Sequence, residues 1–202
     1  MIDYFRKKWI AWKTQKSVFG KLSDIVFVVF LIAMLIPASR REISAFMIRI
    51  ISVAPEKVKT DEQKFVTAVD SKWQIISLEG EAFLLGDFAG KPIFINFWAT
   101  WCPPCVAELP EIMDLYHAYR DDVVFLLITD ESPETVKAFM KQKNYDLPVY
   151  FVQSATPEIF GTSTIPATFV VSPDNKIVIE KRGAAKWNSK PMHKLLDEMV
   201  HK

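Results

Sequence analysis

A run of apolar residues, Pro92-Ile93-Phe94-Ile95-Asn96-Phe97-Trp98, leads into Trp101-Cys102-Pro103-Pro104-Cys105. A helical pattern follows, with Val106, Leu109, Ile112, Met113, Leu115, Tyr116 and Tyr119 on one broad face. The chain has 202 residues and these are its only two cysteines. Strand, Cys-x-x-Cys, helix is the setting in which the motif reads as a dithiol redox centre. The helix begins at the cysteines, so its unsatisfied N–H groups and positive dipole end point at sulfur. That favours thiolate over thiol, and the thiolate is the nucleophile of disulfide exchange. A proline in the first turn loses no helical hydrogen bond. Pro103 and Pro104 therefore stiffen the loop and leave the helix intact. Cys102 is expected to be the exposed attacking cysteine, and Cys105, one turn in, the buried resolving one.

Two other uses of a Cys-x-x-Cys fit less well. Zinc needs about four ligands. Only His117, His193 and His201 remain to supply nitrogen, and His117 is too far along the helix to meet the cysteines. A purely structural disulfide here would close a very short loop and remove little entropy from the unfolded chain.

Composition is 50% hydrophobic and 24% charged, as for a globular domain plus something apolar. The net charge of +1 carries no nucleic-acid signal. Its distribution is uneven: residues 1–54 hold nine Lys and Arg against three Asp and Glu, a net +6, which leaves −5 for the remainder. A basic head on an acidic body points to a membrane-directed N-terminus. Arg6, Lys7, Lys8, Lys13, Lys16 and Lys21 precede an apolar run over 25–37. That run is short for a spanning helix, which needs about 20 residues. Extending it back to Val18 lengthens it if Lys21 and Asp24 snorkel.

Three readings of this segment compete: a cleaved signal peptide, an uncleaved anchor and a buried core helix. The favoured one is an uncleaved single-pass anchor, because no small-residue cleavage pair follows the run. A core helix leaves the basic residues in front of it unexplained. More positive charge before the span than after it puts the N-terminus in the cytoplasm, although Arg40, Arg41 and Arg49 count against that. The dithiol then faces the oxidising side of the membrane. Residues 43–53 read as a surface amphipathic helix, as a packing helix on the domain or as a second span too short to cross.

These features divide the chain into a basic cytoplasmic N-terminus (1–21), a transmembrane signal anchor (22–38), a juxtamembrane segment and linker (39–62) and one globular domain (63–202). In that domain, strands are expected over 73–78, 82–85, 93–98, 123–129, 149–152, 167–171 and 177–181. The last two form a hairpin across Ser172-Pro173-Asp174-Asn175-Lys176. Helices are expected over 102–120, kinked at Pro110, over 133–143 behind the cap Ser132, and over 191–200, with a short helix at 157–160. Strands alternating with helices and closing in a hairpin make an α/β layer with a mixed sheet.

Gly90-Lys91-Pro92, the run from Asn96 to Cys105, Glu108-Leu109-Pro110 and Thr164-Ile165-Pro166-Ala167-Thr168 occur in this order. On these motifs the chain resembles the thioredoxin superfamily, and more narrowly its membrane-anchored TlpA/ResA/CcmG type. The resemblance covers about 65–200. It implies a thioredoxin-like fold, a mixed central sheet flanked by helices, with an N-terminal β-hairpin extension and a membrane anchor helix. It implies Cys102 as nucleophile, Cys105 as resolving thiol, and Ile165-Pro166 as a cis-proline segment whose Ile165 backbone pairs with an extended substrate. Members of this type carry a glutamate at the position of Glu108. Three residues after Cys105 it shares a helix face with that cysteine, so it is expected to be semi-buried with a raised pKa, and to relay the Cys105 proton. Thioredoxin proper has an aspartate at the position of Asn96, which cannot exchange a proton. Trp98 and Trp101 are expected at the rim of the site.

The activity implied is thiol–disulfide exchange through a redox-active disulfide, with no other cofactor and no metal. The favoured direction is reduction of extracytoplasmic client proteins, for example in cytochrome c biogenesis, with electrons from a membrane thiol transporter. The implied location is the bacterial inner membrane with the catalytic domain in the periplasm. A disulfide-donating oxidase or isomerase uses the same residues. A copper-carrying domain of the same fold would want a histidine near the dithiol, and none is placed for it.

Overall fold

The computed structural model describes residues 17–35, 52–58 and 64–201. The basic N-terminus before residue 17, most of the 43–53 amphipathic segment and residues 59–63 of the linker lie outside the described residues. Helix α1 spans Val18–Leu35 and belongs to a unit separate from the rest. Its side chains from Phe19 to Ile32 are largely exposed, Phe19 at 83% and Phe27 at 60%. Among the described residues no helix is long and apolar enough to cross a membrane. Of the anchor expected over 22–38, residues 22–35 lie in α1, and 36–38 are outside the described residues.

The domain is built on one seven-stranded sheet in the order β2-β1-β5-β4-β3-β6-β7. Its strands are β1 (Gln74–Ser77), β2 (Ala82–Leu84), β3 (Ile93–Phe97), β4 (Val124–Thr129), β5 (Val149–Val152), β6 (Ala167–Val171) and β7 (Ile177–Arg182). The central β3-β4 and β4-β5 pairs are parallel. The pairs β1-β2, β1-β5, β3-β6 and β6-β7 are antiparallel. Helix α2 (Pro103–Tyr119) joins β3 to β4, α3 (Pro133–Lys143) joins β4 to β5, and α4 (Lys190–Val200) closes the chain.

Helices α2, α3 and α4 all pack on one face of the sheet. Buried residues of α2, α3 and α4 (Leu109, Ile112, Val136, Leu195 and Leu196) share one core with Phe94, Leu127 and Val170. The other core holds Ile93, Ile95, Leu126, Phe169 and Trp73, with Leu85 and Phe160 from short 3₁₀ turns. The reason is topological. Strands β3, β4 and β5 are laid down side by side in one direction, so two right-handed crossovers put both connecting helices on the same face.

The pleat of the central strands then assigns each side chain to a layer. Ile93 and Ile95 point to the 3₁₀ side, and Phe94 and Trp98 to the helices. Asn96 has the parity of Phe94, so this polar residue is directed into the helical core, where it is fully buried. Thr168, opposite Asn96 in the β3-β6 register, has the parity of Val170 and faces the same way.

Local signals placed α3 accurately. Ser132 is its N-cap, accepting from Thr135 N at 3.3 Å, and Pro133 is its first residue. Ser132→Ala is expected to lower the unfolding free energy by about 1 kcal/mol, measured by urea denaturation. No loss would mean that the hydroxyl does not hold this helix end.

The stretch from Pro55 is not a free linker where it is described. Val58 N donates to Val178 O at 2.9 Å, Lys186 N donates to Val53 O at 3.0 Å, and Pro55 is buried. Residues 64–66 continue this docking, with Ile177 N on Lys64 O and Val66 N on Asn175 O. The edge strand β7 offers unpaired backbone groups, and this polar segment takes them.

Candidate active site

Cys102 is the N-cap of α2, with extended backbone, and Cys105 lies in its first turn. The two are joined as a disulfide with Cα atoms 5.3 Å apart. The Cys105 N–H, one of the helix-end donors, points at Cys102 Sγ from 3.3 Å. Pro103 and Pro104 occupy the first helical positions, and Pro110 lies inside a helix that continues to Tyr119.

Cys102 is not the exposed cysteine expected of an attacking group. It is 4% exposed and Cys105 is fully buried. Trp101, 61% exposed, stands beside the disulfide, and Trp98 is part of the core. Only Trp101 is therefore a rim residue. Trp73 lies in the core on the other face of the sheet, and Trp187 in the helical core with Trp98.

The Ile165-Pro166 peptide bond is cis. Cys102 Sγ lies 3.8 Å from Ile165 O. In the disulfide this is a contact, and in the reduced protein a thiol at that position has a carbonyl to donate to. Pro166 O is already taken by Gly183 N at 2.8 Å.

Glu108 is more deeply placed than the expected semi-buried position, at 2% exposure. It accepts from Asn96 Nδ2 at 2.9 Å, Ala185 N at 3.1 Å and Trp187 Nε1 at 2.8 Å. Burial pushes its carboxyl up from 4.5 to about 7, against the pull of these hydrogen bonds and with a smaller push from the Glu111 charge. Each donor favours the anion, but removal from water costs the anion more. A group that changes charge near neutrality, one turn after a redox cysteine, is chemically suited to hold or release a proton there.

The contacts of Glu108 with Asn96, Ala185 and Trp187 have no signature in the sequence. Ala185 and Trp187 are 77 and 79 residues from Glu108 and carry no local pattern. Nor does a clamp on the loop before Cys102. Glu131 Oε2 accepts from Thr100 N at 2.6 Å, and Oε1 accepts from Thr100 Oγ1 at 2.7 Å. Glu131→Ala is expected to cost about 1–2 kcal/mol of stability by leaving both donors unmatched. Thermal or urea unfolding of the oxidised protein at neutral pH checks it, and an unchanged midpoint would remove the clamp. Among the described residues no group of three or more His, Cys, Asp or Glu is placed to hold a metal ion.

A disulfide at a helix N-terminus, on the end of a central parallel strand and against a cis-proline, is the arrangement of the thioredoxin-like thiol–disulfide oxidoreductases. Residues 60–196 match the Redoxin family model, and the chain belongs to that family. Its relatives place it with the TlpA/ResA/CcmG type. Thiol-disulfide oxidoreductase ResA of Bacillus thuringiensis subsp. konkukian is 33% identical over 128 residues, 61% of this chain and 74% of that protein. The protein of the same name from Bacillus subtilis is 32% identical over 102 residues, 50% of this chain and 59% of its own length.

Among solved structures, the exposed lipoprotein thioredoxin of Streptococcus pneumoniae has a TM-score of 0.53 at 25% identity, covering 62% of this chain and 98% of that one. The thioredoxin domain of a thiol-disulfide oxidoreductase from Bacteroides vulgatus has a TM-score of 0.53 at 21% identity, covering 63% of this chain and 91% of that one, and it supports the fold alone. The chain is a thiol–disulfide oxidoreductase.

Proposed function

We propose that this chain is a membrane-tethered reductant of extracytoplasmic protein disulfides, with the apocytochrome c of cytochrome c maturation as one class of client. The observation that carries the chemistry is the Cys102–Cys105 disulfide at the N-terminus of α2, with the Cys105 N–H directed at Cys102 sulfur. In the reduced protein that donor and the helix end favour the Cys102 thiolate. The thiolate attacks one sulfur of the client disulfide, the client S–S bond breaks, and the other client sulfur leaves as thiolate. Cys105, giving its proton to Glu108, then attacks the mixed disulfide. The Cys102–client S–S bond breaks, the second client sulfur leaves as thiolate, both client thiolates take protons from solvent, and the Cys102–Cys105 disulfide re-forms. Ile165 O lies against the Cys102 sulfur and the exposed Trp101 directly precedes Cys102 in the chain, which suits docking of an extended client segment. A membrane thiol transporter returns two electrons.

The tether rests on the exposed apolar side chains of α1 and the basic residues before it. The charge pattern supports a cytoplasmic N-terminus and a domain in the periplasm of a bacterial inner membrane. The test is the reduction potential of the full chain, by titration with dithiothreitol or glutathione and thiol trapping. A value near or below about −270 mV is expected of a reductant. A value towards about −120 mV would make it an oxidant. Failure of the two cysteines to form a reversible disulfide would sink the reading altogether.

A further inference from the structure

Glu108 is surrounded by donors. Its Oε2 faces Ala185 N at 3.1 Å and Trp187 Nε1 at 2.8 Å, and its Oε1 faces Asn96 Nδ2 at 2.9 Å. That suits a carboxylate, which only accepts. A neutral carboxyl group needs an acceptor for its O–H. With two N–H groups on Oε2, the proton belongs on Oε1, where it meets the Asn96 amide. The oxygen of that same amide, Asn96 Oδ1, is buried and without a partner. The amide nitrogen also donates to Thr168 Oγ1 at 2.8 Å, and a hydroxyl can either accept or donate.

We propose that Asn96 is a positioning residue that turns its amide with the charge on Glu108, keeping the Thr168–Asn96–Glu108 chain paired in both protonation states. When Glu108 is an anion, Nδ2 donates to both neighbours. When Oε1 takes a proton from solvent, the amide makes a half turn and Oδ1 accepts from the Glu108 O–H and from the Thr168 hydroxyl, which reverses its role. Either mismatch is repulsive. An unturned amide opposes N–H to O–H, and a turned amide opposes two oxygens across an anion. The outer end of the amide lacks a partner in both states, so that cost largely cancels between them.

The groups facing Glu108 are Asn96 from β3, Thr168 behind it on β6, Ala185 and Trp187 after β7, and Glu111 one turn on along α2, whose charge opposes ionisation. As a device for passing the Cys105 proton, this turn rests on the function proposed above. The turn itself does not, because it is read in the oxidised protein with no client.

The experiment is an NMR titration of the oxidised full chain, labelled at Asn and Glu, from about pH 5 to about pH 9, spanning the usual neutral range. The Asn96 side-chain amide should titrate with the same midpoint as the Glu108 carboxyl carbon. Nuclear Overhauser contacts from the Nδ2 hydrogens to the Thr168 methyl should be present at high pH and lost at low pH. Contacts that persist through the whole titration overturn the proposal. Asn96→Ala gives a second reading. A fixed donor supports only the anion, so its loss would raise the Glu108 midpoint by about one unit or more. A turning amide supports both states, so the expected movement is under about half a unit. Loss of exchange activity with an intact amide turn would count against the redox reading alone.

Discussion

Cys102→Ser is expected to stop disulfide exchange, cutting the rate with a peptide disulfide by more than roughly a thousandfold. A serine hydroxyl is not ionised near neutrality, so the α2 N-terminus has no thiolate to stabilise. Cys105→Ser should behave differently. Cys102 still attacks, but nothing resolves the product, and a mixed disulfide with the client accumulates. Stopped-flow rates and mass spectrometry of the trapped species separate the two. Retained turnover in Cys102→Ser, or trapping through Cys105, would reverse the assigned roles. The 4% exposure of Cys102 adds a further condition: the client must reach a sulfur that is almost wholly covered.

Glu108→Gln should change how stability depends on pH. The carboxyl holds its proton up to about 7 in the folded protein, against 4.5 for the ordinary group. Between those values the unfolded chain binds fewer protons than the folded one, so stability falls as pH rises. The fall amounts to about 3 kcal/mol in full and levels off above about pH 7. Glutamine cannot ionise, and its amide oxygen can still accept from Ala185 N and Trp187 Nε1. The variant should therefore lack this slope and be the more stable protein above neutrality. Urea denaturation of the oxidised proteins at acidic and at mildly alkaline pH checks it. Parallel stability curves would mean that Glu108 does not hold a proton in the fold. Exchange rates of the same variant against pH test the relay, and an unchanged profile would remove it.

Local chemistry was legible in proportion to how local it is. The cap Ser132-Pro133, the hairpin between β6 and β7 and the helix opening at Pro103-Pro104 depend on residues a few positions apart. The buried strands β3 and β4 announced themselves as continuous apolar runs. The burial of Cys102 is not legible locally, because chain position within a helix turn does not reveal what covers it. Nor does the composition of the linker expected before residue 63 show that the open edge of β7 gives its backbone a partner at Val58.

The sequence by itself determined that a dithiol would sit at a helix N-terminus after a buried strand, with Glu108 one turn behind it. Those are nearest-neighbour relations set by residue type and helical period. The tertiary structure decided the state of that glutamate. Asn96, Thr168, Ala185 and Trp187 converge on it only because the β3-β6 register and the return of the chain after β7 bring them there. Burial at that convergence outweighs the hydrogen bonds it supplies, and this balance, absent from any local pattern, sets the charge beside the disulfide.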